Sequence, residues 1–385
     1  MEDIRVKIEE ISEQLRKSNR NNYEATISLL EKGIEYCQIL GDKGEEFSFR
    51  TKYVFKILDF DIEKVLMQFS IMVTLFDQYF DDLTDSDIYL FYPLYLRDIL
   101  RNIHKTEKIE LSQIDELWDD FLKRALKTDK ALTTIGTLFL KEGGSNVEPK
   151  RLSPAYFTAW KLYGWLGQFD KAATFFDLWY AHLMPDEYNL GECPACALDH
   201  SIYFLLWKGD FEQTIKKGEE LIENGAVYSC GEVPNITRGH LLIAYLSVGN
   251  YEKAKECYEL AKEHRDLLTS IIYWNIHECQ FPTALDQFEK YVSKNFQNIS
   301  FDNMFSFHLG YVLFHNMLKE KGDISLSVKL PENMDAFRAN HTYSVNTLKD
   351  YFQKQTQHLI LAFDKRNQNT VVSDYFNNLE KIFLN

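Results

Sequence analysis

The stretch GNYEKAKECYELA, residues 249–261, sets the interpretation of the chain because it combines a tight turn with a short amphipathic helix. Gly249 is suited to end a preceding helix in the left-handed conformation that glycine adopts without steric cost. Tyr251 is placed to pack back under that turn, and Ala254 leaves room for two helices to approach closely. We interpret the stretch as the turn and second helix of a helix pair.

The same pattern occurs three more times in the central part of the chain. Each copy has a turn residue, a polar residue, an aromatic residue, and a small or apolar residue three positions later. The aligned turn positions are 42, 40 and 30 residues apart, a period that indicates stacked helix pairs. A helix pair cannot bury its apolar faces alone, so we expect the pairs to stack into a solenoid. The turn positions are Gly167, Gly209, Gly249 and Cys279.

The rest of the chain is also helical in its patterning. Apolar residues recur at spacings of three and four in the segments 23–40, 62–80, 112–126 and 345–363, as in amphipathic helices. Long polar–apolar alternation is missing, which predicts an all-α fold. Two linker-like stretches, 141–154 and 321–341, divide the chain. The predicted parts are an N-terminal helical block (1–145), the central repeats (152–295) and a C-terminal helical cap (299–385).

The repeat resembles that of tetratricopeptide-repeat (TPR) proteins. The characteristic positions of the second TPR helix are occupied by Tyr251, Ala254, Tyr258 and Ala261. The spacings of 42 and 40 residues exceed the usual TPR period of about 34. Trp160 takes a position that is usually small, and Thr214 and Gly218 replace the expected alanine and aromatic residue. The resemblance therefore implies a degenerate TPR-like α-solenoid.

Residues 60–265 also resemble a family of bacterial TPR-containing proteins of unknown function. Those proteins carry an F-x-L-W helix, then a CxxC motif, then a CxExP turn. Here the three features are Phe176 to Trp179, Cys193 with Cys196, and Cys230 to Pro234. The resemblance implies a bacterial helical-repeat protein and supplies no activity.

Charge and hydropathy narrow the range of partners. The net charge is −15, whereas affinity for nucleic acid comes mostly from clustered Lys and Arg, so we expect no nucleic-acid binding. The N-terminus lacks the apolar core of a signal peptide, and no run of about 18 apolar residues occurs. We therefore expect a cytoplasmic protein without membrane association. The six cysteines would then be thiols, because the cytosol is reducing.

Three of those cysteines are predicted to meet at one edge of the stack. Cys193 and Cys196 precede the first helix of the Gly209 repeat, and Cys230 precedes the first helix of the Gly249 repeat. Equivalent helices of neighbouring repeats lie about 10 Å apart, which loop thiolates can span. We expect a structural Zn²⁺ site, which prefers four tetrahedral ligands. The candidates for the fourth ligand are His200, Glu232, His240 and water.

Other roles remain open for the same residues. The thiols are equally compatible with small hydrophobes that fill tight turns. A redox role is disfavoured because a redox CxxC normally lies near a βαβ pattern. Cys196, His200, Tyr203 and Trp207 follow one another at spacings of three and four on one helix face. His200 is therefore a zinc ligand, a binding-surface residue or an ordinary hydrogen-bonded helix residue.

The first helices of the pairs carry many large aromatic residues. In a TPR stack these helices line the concave side, so the aromatic residues are candidates for a shared partner-binding surface. Alternatively they belong to the core, where large aromatics at helical spacing are common. The surface interpretation predicts that Trp207→Ala leaves the melting temperature nearly unchanged. The candidates are Tyr156, Trp160, Tyr163, Tyr203, Trp207 and Tyr245.

Enzyme motifs that would name a reaction are missing from the sequence. It contains no P-loop, HExxH or GxSxG pattern. The sequence therefore favours a non-enzymatic scaffold that binds a protein or peptide in a concave helical-repeat groove. The alternatives left open are a peptide-responsive regulator, a toxin-neutralising immunity protein and a metal-dependent enzyme.

Overall fold

The computed structural model describes residues 2–17, 23–58, 60–127, 153–181, 194–224, 230–264, 269–297 and 299–384. Across these ranges the chain forms seventeen α-helices, three short 3₁₀ or π-helical stretches and one two-stranded sheet. The prediction of an all-α fold is confirmed. Within the same ranges, none of the helices has the length and apolar character needed to cross a membrane.

The chain divides into two compact units. The first comprises residues 1–106 and 114–159, and the second comprises residues 107–113 and 160–385. The central repeats and the C-terminal helices, predicted as separate blocks, lie together in the second unit.

The first unit contains five complete helices, all but the first three residues of a sixth, and the beginning of a seventh. They are α1 (Glu2–Lys17), α2 (Tyr23–Leu40), α3 (Lys43–Ile57), α4 (Ile62–Gln78), α5 (Asp85–Pro93), α6 (Leu111–Lys127) and the start of α7 (Ser153–Trp165). A π-helical stretch (Leu94–Leu100) follows α5 directly. The helices predicted at 23–40, 62–80 and 112–126 are confirmed as α2, α4 and α6. Helix α4 ends two residues earlier than predicted.

The second unit contains helix pairs joined by short turns, followed by three further helices. The pairs are α7 with α8 (Phe169–Tyr180), α9 (Pro194–Lys208) with α10 (Phe211–Asn224), α11 (Val233–Ser247) with α12 (Tyr251–Ala261), and α13 (Thr269–His277) with α14 (Phe281–Asn295). The remaining elements are α15 (Ser300–Lys321), β1 (Ser325–Ser327), β2 (Thr342–Ser344), α16 (Val345–Asn367) and α17 (Val371–Phe383). The helix predicted at 345–363 is confirmed as α16.

The four predicted turn residues share one backbone geometry. Their φ angles are +70° at Gly167, +81° at Gly209, +75° at Gly249 and +54° at Cys279. In each turn this residue donates its N–H to the carbonyl three residues earlier, and the next residue donates to the carbonyl five residues before it. This is the hydrogen bonding of a Schellman helix end. The left-handed helix ends predicted at the glycines are confirmed, and the aligned Cys279 has the same conformation.

Small residues on the second helices allow close packing between helices. Ala172, Ala254 and Ala284 are buried. A Cβ atom at Gly218 would lie 2.7 Å from Cδ2 of Leu241, so α10 approaches α11 more closely than any larger residue would permit. Helix α9 contacts both α10 and α11. Neighbouring pairs therefore touch, and their arrangement as a TPR-like solenoid stays a prediction.

The segment 321–341 is not the linker that the sequence predicts. Its first part forms β1, which pairs antiparallel with β2 in the register Ser325 to Ser344. Val328, Leu330 and Met334 are buried in the core of the second unit. Strands of three residues are too short to show an alternation in the sequence, which explains the error. Of the other predicted linker, 141–154, residues 141–152 lie outside the described residues.

Candidate functional site

The C-terminal helix α17 has one apolar and one polar face. Asp374, Asn377 and Lys381 form the exposed stripe, at spacings of three and four. Each residue of the opposite stripe is at most 8% exposed. Its members are Val372, Tyr375, Phe376, Leu379 and Phe383.

The apolar stripe of α17 packs on the first helices of three successive pairs. Helix α17 contacts α9, α11 and α13, and also α15 and α16. The ring of Tyr375 lies 4.5 Å from that of Trp207 on α9. At the other end of α17, the ring of Phe383 lies 4.9 Å from that of Tyr273 on α13. We call Tyr203 and Trp207 of α9, Ile243 of α11 and Tyr273 of α13 the covered face.

Hydrogen bonds fix where α17 begins. The carboxylate of Asp364 accepts the backbone N–H groups of Val372 and Ser373 at 3.1 and 3.4 Å. The side-chain amide of Asn369 donates to the carbonyl of Leu166 at 2.9 Å, in the turn that ends α7. The start of α17 is therefore held by α16 and by the first of the repeated turns.

Trp207 is a core residue, which corrects its assignment to an open groove. It is 1% exposed, and the rings of Tyr375, Phe376 and Phe305 lie within 6.5 Å of it. Helices α15 and α17 thus cover the side of α9 on which Trp207 lies. Helical periodicity identifies the aromatic face correctly but does not show which element covers it.

Three further candidates for the partner surface are also buried. Trp160 is 3% exposed and stacks on Trp179, with ring centroids 5.5 Å apart. Tyr163 is fully buried and stacks on Phe175. Tyr245 is 4% exposed, and its hydroxyl donates to a Glu219 carboxylate oxygen at 2.5 Å. Their assignment to an exposed aromatic surface is corrected, because each one packs within or beside its own helix pair.

The other two candidates are half-buried. Tyr156 lies on the part of α7 that belongs to the first unit. Tyr203 lies on the covered face, with its ring centroid 6.5 Å from that of Tyr375. Burial raises the pKa of Tyr203 well above its ordinary value, so its hydroxyl stays protonated.

A small cavity of about 90 Å³ lies under α17. Tyr203, Ser270 and Tyr273 line it from the first helices, and Tyr375 and Leu379 line it from α17. His240 of α11 also contributes to the lining. Helix α17 therefore closes this cavity together with the covered face.

His240 belongs to a buried polar cluster with Asp199. Its Nε2 lies 3.3 Å from one oxygen of Asp199, and the Thr237 hydroxyl donates to the other at 2.6 Å. Burial alone would raise the pKa of Asp199, but His240 and Thr237 hold it below its ordinary value. The sequence named His240 only as a zinc ligand, and the role of Asp199 was missed because its partners are about forty residues away along the chain.

Two of the three predicted zinc-binding cysteines come together. The Sγ atoms of Cys196 and Cys230 lie 3.7 Å apart, although the residues are separated by 34 positions. Ala195, Ile202, Leu221 and Val233 form a small apolar cluster against which both cysteines pack. Cys193 lies outside the described residues.

Each of the predicted fourth protein ligands has another polar partner. In the described part of the chain, no three His, Cys, Asp or Glu side chains are grouped to hold one ion. His200 places Nδ1 2.8 Å from the carbonyl oxygen of Cys196. Glu232 pairs with His264 at 2.6 Å, and His240 pairs with Asp199. The structure thus brings two of the predicted cysteine ligands together, and among the described residues it groups no third predicted ligand with them.

No protein-family model matches the chain, and no curated protein or solved structure is significantly similar to it. The resemblance to TPR proteins therefore stays a prediction. The function has to be argued from the contacts of the covered face and of the cysteine pair.

Proposed function

We propose that this chain is a scaffold protein whose covered face binds an amphipathic helix of a partner protein. The observation that carries the proposal is the packing of α17 on α9, α11 and α13. Its anchors Val372, Tyr375, Phe376 and Leu379 follow the spacing i, i+3, i+4 and i+7. Partner helices that bind in grooves use the same spacing.

The composition of the covered face supports this function. Tyr203, Trp207 and Tyr273 supply large aromatic contact area, which is typical of the energetically dominant residues of interfaces. The net charge of the chain is −15. A partner helix with a basic polar face is therefore favoured, because complementary charge accelerates association.

The fit of α17 to this face is incomplete. Among the described residues, Nε1 of Trp207 and Nε2 of His308 are buried without a hydrogen-bond partner, although Nε2 of His308 lies 3.8 Å from a carboxylate oxygen of Glu380 on α17. Both side chains contact α17: the Trp207 ring contacts Tyr375, and the His308 ring lies 4.6 Å from Phe376. Each unsatisfied buried group costs about 1–3 kcal/mol. A partner helix that supplies a polar group to either atom would compete with α17 for the face.

The test uses a fluorescent peptide of residues 369–384 and the full-length chain. In the wild-type chain α17 occupies the face, so the peptide is expected to bind weakly. Phe376→Ala removes a fully buried ring and weakens the packing of α17 on the covered face by about 3–5 kcal/mol. We therefore expect the Phe376→Ala chain to bind the peptide at least about 100-fold more tightly than the wild type does.

The matched control is Asn377→Ala, on the exposed stripe next to Phe376. This chain is expected to bind the peptide as weakly as the wild type. A Phe376→Ala chain that stays folded but gains no affinity would show that the face does not accept a helix. A Phe376→Ala chain that unfolds as a whole would show that α17 is an obligate part of the core.

A further inference from the structure

The distance between the two cysteine sulfurs matches a particular chemistry. At 3.7 Å, the Sγ atoms of Cys196 and Cys230 are too far apart for a disulfide bond, whose length is about 2.05 Å. Two thiolates bound to one tetrahedral zinc ion at about 2.3 Å each are separated by about 3.8 Å. The observed spacing therefore allows the two sulfurs to bind one metal ion without any movement of the helices.

The surroundings of the pair suit metal-binding thiolates. Cys196 lies in the first turn of α9, where the backbone N–H groups and the helix dipole favour a thiolate. Cys196 and Cys230 are both partly accessible to solvent, so an ion can reach them. By contrast, burial raises the pKa of Cys37 to about 12 and that of Cys257 to about 11, and these thiols are suited only to packing.

We propose that Cys196 and Cys230 bind a zinc-type divalent metal ion that links the start of α9 to the start of α11. The two helices belong to successive pairs, so the ion would fix the position of one pair against the next. Cys193 precedes Cys196 in CxxC spacing, which is common for two ligands of one zinc ion. Since Cys193 lies outside the described residues, its part is a question for the experiment.

The experiment is a titration of the full-length, reduced, metal-depleted chain with cobalt(II), a spectroscopic substitute for zinc. We expect a sulfur-to-cobalt charge-transfer band that saturates near one equivalent and disappears when zinc is added. Cys196→Ser and Cys230→Ser should each weaken the band and reduce cobalt affinity at least about tenfold. Cys257→Ser, a buried cysteine of the neighbouring helix α12, is the control and should leave the titration unchanged.

Cys193→Ser decides the composition of the site. If Cys193→Ser loses as much cobalt affinity as Cys196→Ser, Cys193 is a third thiolate ligand. If its titration is unchanged, only Cys196 and Cys230 are ligands. Both outcomes support binding by Cys196 and Cys230. The proposal is overturned if the wild-type chain shows no charge-transfer band. It is also overturned if Cys196→Ser and Cys230→Ser titrate like the wild type.

A second measurement does not depend on the folding of any variant. In the wild-type chain, zinc should slow the reaction of two or three thiols with a thiol-modifying reagent, and mass spectrometry of peptides should place them at Cys196 and Cys230. Equal modification of these residues with and without zinc would contradict the proposal. Slowed modification elsewhere, for example at the exposed Cys279, would contradict it as well.

Discussion

The ring of Tyr375 lies 4.5 Å from the ring of Trp207, so the last helix of the chain packs on the first helix of a repeat that begins more than 160 residues earlier. This contact places the aromatic residues of α9 and α13 under α17. Of the residues that the sequence suggested for a partner surface, Tyr203 and Trp207 are therefore covered by the chain itself. The proposed function follows from this relationship, because one amphipathic helix already demonstrates what kind of segment the face fits.

The burial of Trp207 predicts a large loss of stability on truncation. Trp207→Ala should lower the free energy of unfolding by about 3–5 kcal/mol, because it removes a ring that packs against α15 and α17. Urea denaturation followed by circular dichroism measures this change. Leu361→Ala, at a side chain that is 68% exposed, is the control and should change stability by less than about 0.5 kcal/mol. A small effect of Trp207→Ala would restore the open-groove interpretation.

The repeated turns predict that any side chain added at the left-handed position lowers the free energy of unfolding. Gly249 has a φ of +75°, and a Cβ atom added there would meet no other atom within 4 Å. Gly249→Ala should therefore destabilise the chain by about 1–2 kcal/mol through backbone conformation alone. Gly231→Ala is the matched control, because that glycine has equal space and no positive φ. Equal effects of the two substitutions in thermal or urea unfolding would contradict the turn assignment.

Cys279 provides the complementary prediction. Its φ is +54° although it carries a side chain, and that side chain is exposed. Cys279→Gly relieves the strain of the left-handed conformation but adds freedom to the unfolded chain. We expect a net stabilisation of about 0.5–1 kcal/mol in urea denaturation. A destabilisation would show that the cysteine side chain contributes contacts that outweigh the strain.

His308 predicts how the stability of the second unit depends on pH. Burial lowers its pKa to about 3, and the hydroxyl of Tyr273 lies 2.6 Å from its Nδ1. The unfolded chain takes up a proton near pH 6.5, whereas the folded chain does not. The contribution of neutral His308 to the free energy of unfolding is therefore fully present above about pH 6.5. It is lost as the pH falls from there towards the pKa of His308 in the folded chain, by up to about 1.4 kcal/mol per pH unit.

The measurement compares urea denaturation of the wild type and His308→Gln between pH 7 and pH 4. Glutamine stays neutral, so the variant should lose less stability than the wild type over this interval. His358→Gln, at an exposed position of α16, should follow the wild-type slope. Parallel slopes for the wild type and His308→Gln would contradict the buried, neutral state of His308.

The sequence predicted the local features of this fold correctly. Helix α2 begins and ends at the residues that its apolar spacing indicates, and all four repeated turns are left-handed. These features depend on neighbouring residues, which is why periodicity and turn chemistry suffice to find them. Two further turns of the same kind, at Gly41 between α2 and α3 and at Gln368 between α16 and α17, were missed because the helices that follow them do not carry the repeat pattern.

The sequence could not predict contacts between distant segments. Periodicity shows that Trp207 lies on an apolar face, but not that Tyr375 covers it. The pair Asp199 and His240 is hidden for the same reason, since neither residue has a neighbour that marks it. The cysteine pair is the exception, because the repeat period places Cys196 and Cys230 before equivalent helices.

Hydrogen–deuterium exchange of the full-length Phe376→Ala chain, with and without the saturating peptide of residues 369–384, tests the central claim most directly. The peptide should take the place of α17 on the covered face. We predict that deuterium uptake rises in residues 371–383 of the chain when the peptide binds, while uptake in α9, α11 and α13 stays low. Unchanged uptake in residues 371–383 with the peptide bound would show that the peptide binds elsewhere, and would contradict the account.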